Sequence, residues 1–183
     1  MYHIKDDKRM VQSAEILLAS LCRYCKSNAF NDLTIAELSR SSGLGRSTIY
    51  RLFDNIYDIV EYGCDRFAET LVKNYKDRKD STGFTRNSFL LFSLEQWMSA
   101  SDLVELLIAC KRPDIMHNSM KKFSEGVPAV RDMENVSETE KRYIEATIGA
   151  TFASLIVTWI RNGKKETPEE VYHIFMKMMM PGY

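Results

Sequence analysis

The chain is predicted to be all-α, with a compact group of three helices at the N-terminus leading into a larger helical bundle. Three observations predict this. Apolar residues recur at three-and-four spacing along most of the sequence, with no sustained alternation and no Asn-Gly hairpin signal. Only 8 Gly and 4 Pro punctuate the 183 residues, so few positions interrupt a helix. Hydrophobic content of 45% and aromatic content of 11% are ample for a packed core.

The elements follow in order. From about residue 5, Met10, Ala14, Leu17, Leu18, Leu21 and Cys25 lie on one helical face up to Lys26, where "SNAFNDL" breaks the pattern. Thr34 and Glu37 have the spacing of a capping box, in which hydroxyl and carboxylate each satisfy the other residue's amide. The short helix they open ends at Gly43, and a second short helix covers about 46–52. Asn55 with Asp58 opens a long fourth helix reaching about Arg78. "KDRKDSTGF" (76–84) is the most loop-like stretch, and helices follow over about 85–99, 102–111 and 114–124. Ser137 with Glu140 opens a long helix that stops at Asn162-Gly163. In "TPEE", Thr167 caps, Pro168 takes the first turn and Glu170 completes the box of a last helix running to about Met179.

Composition bounds the function. The formal net charge is zero, so any contact with a polyanion must come from a local patch rather than a whole-chain field. One such patch exists: between residues 38 and 53, Arg40, Arg46 and Arg51 meet no acidic residue. Across residues 1–58 the balance is nearly even. Lys5, Lys8, Arg9, Arg23, Lys26, Arg40, Arg46 and Arg51 face Asp6, Asp7, Glu15, Asp32, Glu37, Asp54 and Asp58. The charged start "MYHIKDDKRM" is no signal peptide, and the longest uncharged run, Ala146 to Ile160, is shorter than the roughly 20 residues that span a bilayer. Four cysteines do not make a disulfide scaffold in a chain of this size, so no membrane partner and a reducing cytoplasmic location are expected.

The segment "LTIAELSRSSGLGRSTIYRLF" (33–53) has a helix-turn-helix layout, in which the second short helix enters the major groove of DNA. Thr34, Ser39, Gly43-Leu44, Thr48, Ile49, Tyr50 and Phe53 keep an ordered spacing, and with it residues 8–62 resemble the tetracycline-repressor (TetR/AcrR) family of transcriptional regulators. "TWIRNGKKETPEEV" (158–171) is similar to that family's junction between the last two helices. The resemblance implies a DNA-binding unit over residues 1–54 and an effector-binding and dimerisation unit over 55–183. Ser39 sits where the short helices cross and must be small, and Ile49 is the expected apolar plug under the second of them.

The candidate DNA contacts are Thr34, Arg46, Ser47, Thr48, Tyr50 and Arg51. Arginine suits bidentate contact to guanine, and hydroxyls suit phosphate or adaptable base contacts. The Tyr50 phenol can meet a phosphate, and the amide end of the helix at Thr34 is itself a phosphate site. Two positions depart from the family: Ile56 stands where a Lys is frequent, and Leu52 where His or Tyr is frequent. Both are backbone-contact positions in the family, so affinity and register on DNA differ accordingly.

Other features have a packing reading beside a functional one. "FLLFSLEQWM" (89–98) has core spacing, yet the resemblance implies an effector pocket lined by Phe89, Phe92, Trp97 and Leu107. The last two helices carry broad apolar stripes that can be core or, as the resemblance implies, a homodimer seam at Ile148, Phe152, Leu155, Trp159, Ile174 and Met178. "CRYC" (22–25) places Cys22 and Cys25 on one helical face, as buried packing residues or as a thiol or metal sensor; a zinc site needs more ligands. His117 and His173 have no partner at recognisable spacing and read as surface or edge residues.

These features together predict a dimeric regulator, a repressor, that binds double-stranded operator DNA and is released by a small apolar or amphipathic effector. The alternative is a helical interaction module of the same fold with little operator binding, or a sensor using Cys22 and Cys25. No Gly-rich phosphate loop, nucleophile elbow or His-Glu metal motif supports an enzyme, and no cofactor or metal is expected.

Overall fold

The computed structural model describes residues 1–4, 7–78, 86–124 and 136–179. Among these residues the chain is helical throughout, apart from an isolated antiparallel β-bridge between Tyr2 and Phe53. The helices are α1 (Lys8–Cys25), α2 (Ile35–Ser42), α3 (Arg46–Leu52), α4 (Ile56–Lys76), α5 (Arg86–Ser99), α6 (Ser101–Ala109), α7 (Asp114–Ser124), α8 (Glu138–Arg161) and α9 (Pro168–Met179). A single 3-10 turn, Phe30–Asp32, lies between α1 and α2. The expected loop at 76–84 and the charges of Lys5 and Asp6 fall largely or wholly outside the described residues.

The predicted starts and stops form for the predicted reasons. Thr34 accepts the Glu37 amide at 3.2 Å while the Glu37 carboxylate accepts the Thr34 amide at 2.9 Å. The same reciprocal pairing opens α4 at Asn55 and Asp58, and α8 at Ser137 and Glu140. At α9, the Glu170 carboxylate accepts the Thr167 amide at 2.8 Å. Gly43 ends α2 with φ of 72°, a left-handed conformation that costs a Cβ-bearing residue and costs glycine nothing.

Helices α1, α2 and α3 close over the N-terminal half of α4. Leu17 and Leu21 of α1, Leu38 of α2, Ile49 and Leu52 of α3 and Ile59 of α4 are fully buried and form one apolar cluster. Neither short helix has enough apolar surface to hold by itself, so the pair is stable only on this platform. The rest of α4 enters the larger bundle. There α7 packs along α4, α9 along α5, and α8 against both α6 and α7. One close approach marks the α7–α8 crossing: a Cβ on Gly149 would lie 1.9 Å from His117 Nδ1, so any larger residue requires that ring to move. His117 is thus an edge residue with a packing role.

Helix α8 amends one expectation. Over its full length it is long and apolar enough to cross a membrane by length and composition, although the uncharged run within it is shorter. Only 22% of its apolar 18-residue stretch is fully buried inside the protomer. From Ile144 to Ile160 its large apolar side chains are buried or half-buried, and its exposed face is made of small residues.

The capping boxes make stability pH-dependent on the acid side. The Thr34 amide and hydroxyl hold the Glu37 carboxyl below its ordinary 4.5, and the Ser137 hydroxyl and amide do the same for Glu140. A depressed carboxyl stabilises the fold above its unfolded value, and that stability is lost as pH falls through the folded value. The melting temperature is therefore expected to fall between about pH 5 and pH 3. Glu37→Gln keeps a capping side chain that does not titrate here. It should flatten part of that fall, and a curve identical to the parent's would contradict the assignment.

Candidate nucleic-acid interface and its connections

The reading face is built on α3. Gly45 precedes the helix without a side-chain cap, which leaves the first turn open to solvent. Arg46, Ser47, Tyr50 and Arg51 are exposed and share one face, since 46/50 and 47/51 are one turn apart. Tyr50 is 58% exposed, high for an aromatic residue. On the opposite face Ile49 and Leu52 are sealed in the core, and Thr48 lies half-buried on the flank. Arg40, Arg46 and Arg51 form no ion pair among the described residues, although Arg40 acts electrostatically on the Glu37 carboxylate. Ser39, at the crossing of α2 and α3, donates its hydroxyl to the Leu44 carbonyl at 2.6 Å and ties the turn shut.

Thr34 stands differently from the α3 residues. It is exposed, but its amide and hydroxyl both donate to the Glu37 carboxylate, at 2.9 and 2.8 Å. A phosphate at this helix start therefore meets other first-turn amides and shares the site with a carboxylate. The two departures from the family pattern are absorbed by packing: Leu52 is fully buried, and Ile56 packs against the same core.

A connection that sequence reasoning missed ties α3 to the bundle. The Tyr2 backbone bridges to Phe53, and the His3 amide donates to the Leu52 carbonyl at 2.8 Å, so the N-terminal arm is fastened to the end of α3. The Tyr2 hydroxyl then donates to Asp65 of α4 at 2.7 Å. The same carboxylate accepts the Ser119 hydroxyl at 2.7 Å and the Lys122 ammonium at 2.6 Å, both from α7. Asp65 is 5% exposed, and three donors offset the cost of burying it. Burial, reinforced by the Asp65 hydrogen bond, pushes the Tyr2 phenol up to about 12, so it remains a donor at any ordinary pH. Nothing in the local spacing announces these partners, which are 54 to 63 residues apart.

Two clefts flank this assembly. One, of about 760 Å³, lies between α1, α4 and the α5–α6 junction, with Leu18, Phe67 and Leu103 in its wall and Arg23, Lys26 and Asp102 among its charged residues. The Lys26–Asp102 ion pair, at 2.9 Å, links α1 to α6 beside it. The other, of about 380 Å³, is polar and lies over Asp65 between α4 and α7. The four expected effector-pocket residues, Phe89, Phe92, Trp97 and Leu107, are all buried in the bundle core and line neither cleft. Phe89 and Phe92 pack against Tyr75, and Trp97 against Phe67.

The expected seam residues divide. Phe152 and Trp159 are covered by the protomer itself, and the Trp159 indole donates to the Glu166 carbonyl at 2.9 Å. Ile148 and Leu155 are half-buried, while Ile174 and Met178 are exposed. The expected seam did not include the residues that α8 leaves outermost: Thr147, Ala150, Ser154 and Thr158 are exposed, with Tyr143 at 74% beyond them. Small side chains at three-and-four spacing were the available signal.

The cysteines are held as thiols. Burial pushes Cys22 up to about 11, with smaller contributions from Asp102 and Cys25, and burial also raises Cys25, Cys64 and Cys110. Among the described residues no group of three His, Cys, Asp or Glu side chains is placed to hold a metal ion.

Residues 87–181, just over half of the chain, match the family described as the transcriptional regulator C-terminal region of TetR type (TetR_C_8). No curated protein matches the sequence. Among solved structures, Lin0861 from Listeria innocua superposes with a TM-score of 0.78 at 14% identity, covering 97% of this chain and 94% of its own. A TetR transcriptional regulator from Streptococcus agalactiae 2603V gives 0.63 at 14% identity, covering 94% and 96%. The transcriptional regulator FadR from Bacillus subtilis, in complex with stearoyl-CoA, gives 0.58 at 14% identity, covering 92% and 98%. At these identities the likeness is one of fold.

The thiol environment is open to a direct check. A shift of Cys22 from the ordinary 9.0 to about 11 lowers its thiolate fraction about a hundredfold at neutral pH. Iodoacetamide at pH 7.5 should label Cys22 far more slowly than it labels a small free thiol. Labelling at the free-thiol rate would restore the sensor reading.

Proposed function

This chain belongs to the TetR family of transcriptional regulators, and from that premise we propose that it is a homodimeric operator-binding repressor relieved by a small effector held in its α4–α9 bundle. The observation that carries the DNA-binding part is the open face of α3. Two arginines, a serine and a tyrosine project from a helix whose other side is locked by Ile49 and Leu52. Residues 1–54 are the DNA-binding unit and 55–183 the effector-binding and dimerisation unit.

The chemistry assigns roles within that face. Arg46 and Arg51 supply forked donors for guanine O6 and N7, Ser47 and Thr48 supply adaptable donors, and Tyr50 reaches a phosphate. One protomer offers few cations, so specific binding needs two. A dimer doubles the phosphate contacts and sets the two α3 helices about 34–36 Å apart, one turn of DNA.

The bare stripe of α8 supports dimerisation. Thr147, Ala150, Ser154 and Thr158 let a second α8 approach closely, with Ile174 and Met178 of α9 alongside. A second copy covering that stripe completes the burial of the half-buried Ile148 and Leu155 without recourse to a membrane.

Release follows from linkage. An effector that prefers a bundle conformation with wrongly spaced α3 helices must weaken DNA by the factor by which DNA weakens it. The route runs along α4, whose Asp65 is shared by α7 and by the arm fastened to α3. The stearoyl-CoA bound to one structural neighbour supports an amphipathic ligand for a bundle of this shape.

Arg46→Ala is an exposed change, expected to shift stability by no more than about 0.5 kcal/mol. It should nevertheless abolish discrimination between the operator and random duplex in a mobility-shift assay. Retained discrimination would refute the contact assignment. Ala150→Arg should convert a dimer to a monomer in sedimentation analysis, with helix content unchanged and operator affinity lost. A dimer that survives this substitution would place the seam elsewhere.

A further inference from the structure

In the bundle core two buried side-chain polar atoms have no partner among the described residues: the Ser93 hydroxyl oxygen and the Trp97 indole Nε1. Ser93 is 2% and Trp97 0% exposed. Elsewhere the fold satisfies such groups. The other indole, of Trp159, donates to a backbone carbonyl, and buried Asp65 has three donors. An unsatisfied buried donor is costly, and native structures keep few of them. Here two belong to residues four apart on one helix, whose Cβ atoms share a face about 6 Å apart.

Their position adds a second, independent indication. The Trp97 ring packs on Phe67 of α4 with centroids 4.4 Å apart. Phe67 is itself half-buried and forms part of the wall of the cleft of about 760 Å³, together with Leu18, Leu103 and the Ser99–Ala100 segment that continues α5. Trp97 therefore sits one aromatic ring behind a space of ligand size, at the junction of α1, α4 and α5, and Ser93 lies one turn earlier along α5. Two of the cations that line this cleft are paired, Lys26 with Asp102 at 2.9 Å and Arg66 with Glu69 at 3.3 Å, and Arg23 donates to the Ser20 hydroxyl at 3.4 Å. Among the described residues no cation pairs with Ser93 or lies over the Trp97 ring, so a charged head group there would be buried without a counter-ion.

We propose that Ser93 and Trp97 are the polar anchor of the effector site, and that the effector is an uncharged, mainly apolar molecule carrying a carbonyl or ether oxygen. The indole N–H donates to that oxygen, the Ser93 hydroxyl gives a second bond, and Phe67 and Leu103 cover the apolar body. The inference rests on the reading that the bundle holds an effector, and it adds the ligand's chemical class and the groups that select it.

The test uses the full chain, without DNA, and three probes: 2-octanone, its isostere 2-methyl-1-octene, and octanoate. Binding is read by calorimetry and by ligand-induced thermal shift. The parent protein is expected to prefer the ketone to the alkene by roughly five- to tenfold, the value of one or two neutral hydrogen bonds, and to bind octanoate more weakly than the ketone. Trp97→Phe keeps a ring and removes the N–H, and should abolish the ketone preference. Ser93→Ala, which removes an unsatisfied hydroxyl from a helix, should fold at least as stably as the parent and show a reduced preference. An undiminished preference in Trp97→Phe, tighter binding of octanoate, or no ketone binding by the parent would overturn the proposal. Operator binding is measured separately on the ligand-free protein. Loss of the DNA reading with the ketone preference intact, or the reverse, identifies which of the two fails.

Discussion

The buried carboxylate of Asp65 is the point on which the molecule's two halves depend. Helix α4 packs both against α1 beneath the α2–α3 pair and against α5, α6 and α7 of the bundle, so its register bears on where α3 points. Apolar packing alone would allow small slides along such a helix, because ridges and grooves repeat every turn. Three directional bonds to one carboxylate remove that freedom. They come from Tyr2, whose backbone is fastened to the end of α3, and from Ser119 and Lys122 on α7. A shift of α7 by even an ångström must stretch these bonds or carry α4 and the arm with it. A few such bonds, each short and partly buried, can thus couple elements that share no side chain.

How much of this was legible in the sequence depends on the range of the interaction. Helix starts were legible because capping is local: Thr34 with Glu37, Asn55 with Asp58, Ser137 with Glu140 and Thr167 with Glu170 each act across three residues. The α3 face was legible because a short helix with Ile49 and Leu52 on one side must expose Arg46, Ser47, Tyr50 and Arg51 on the other. The Asp65 junction was not legible, since nothing near residue 65 encodes partners more than fifty residues away in both directions. The same holds for His117 over Gly149, where an unremarkable glycine turned out to lie directly beneath a ring that a Cβ would displace. Burial on the last two helices was half legible. Periodicity identifies an apolar stripe, but it does not say which part a protomer covers itself, and Phe152 and Trp159 proved to be internal while Ile174 and Met178 did not.

Satisfied and unsatisfied polar groups are arranged unequally across the bundle, and the inequality bears on switching. At Asp65 the buried charge has every partner it needs, which favours one rigid arrangement of α4, α7 and the arm. At Ser93 and Trp97 the partners are missing, which weakens the ligand-free packing of α5 against α4 by comparison. A ligand that completes those hydrogen bonds stabilises whichever conformation best presents them. That conformation need not be the one that Asp65 holds. Because α4 is common to both places, the two preferences act on one element. Occupancy at the α5 end can then be felt at α3 as a change in register. A regulator needs such a difference between two states rather than a stable core alone, since a ligand that fits both equally shifts nothing, however tightly it binds.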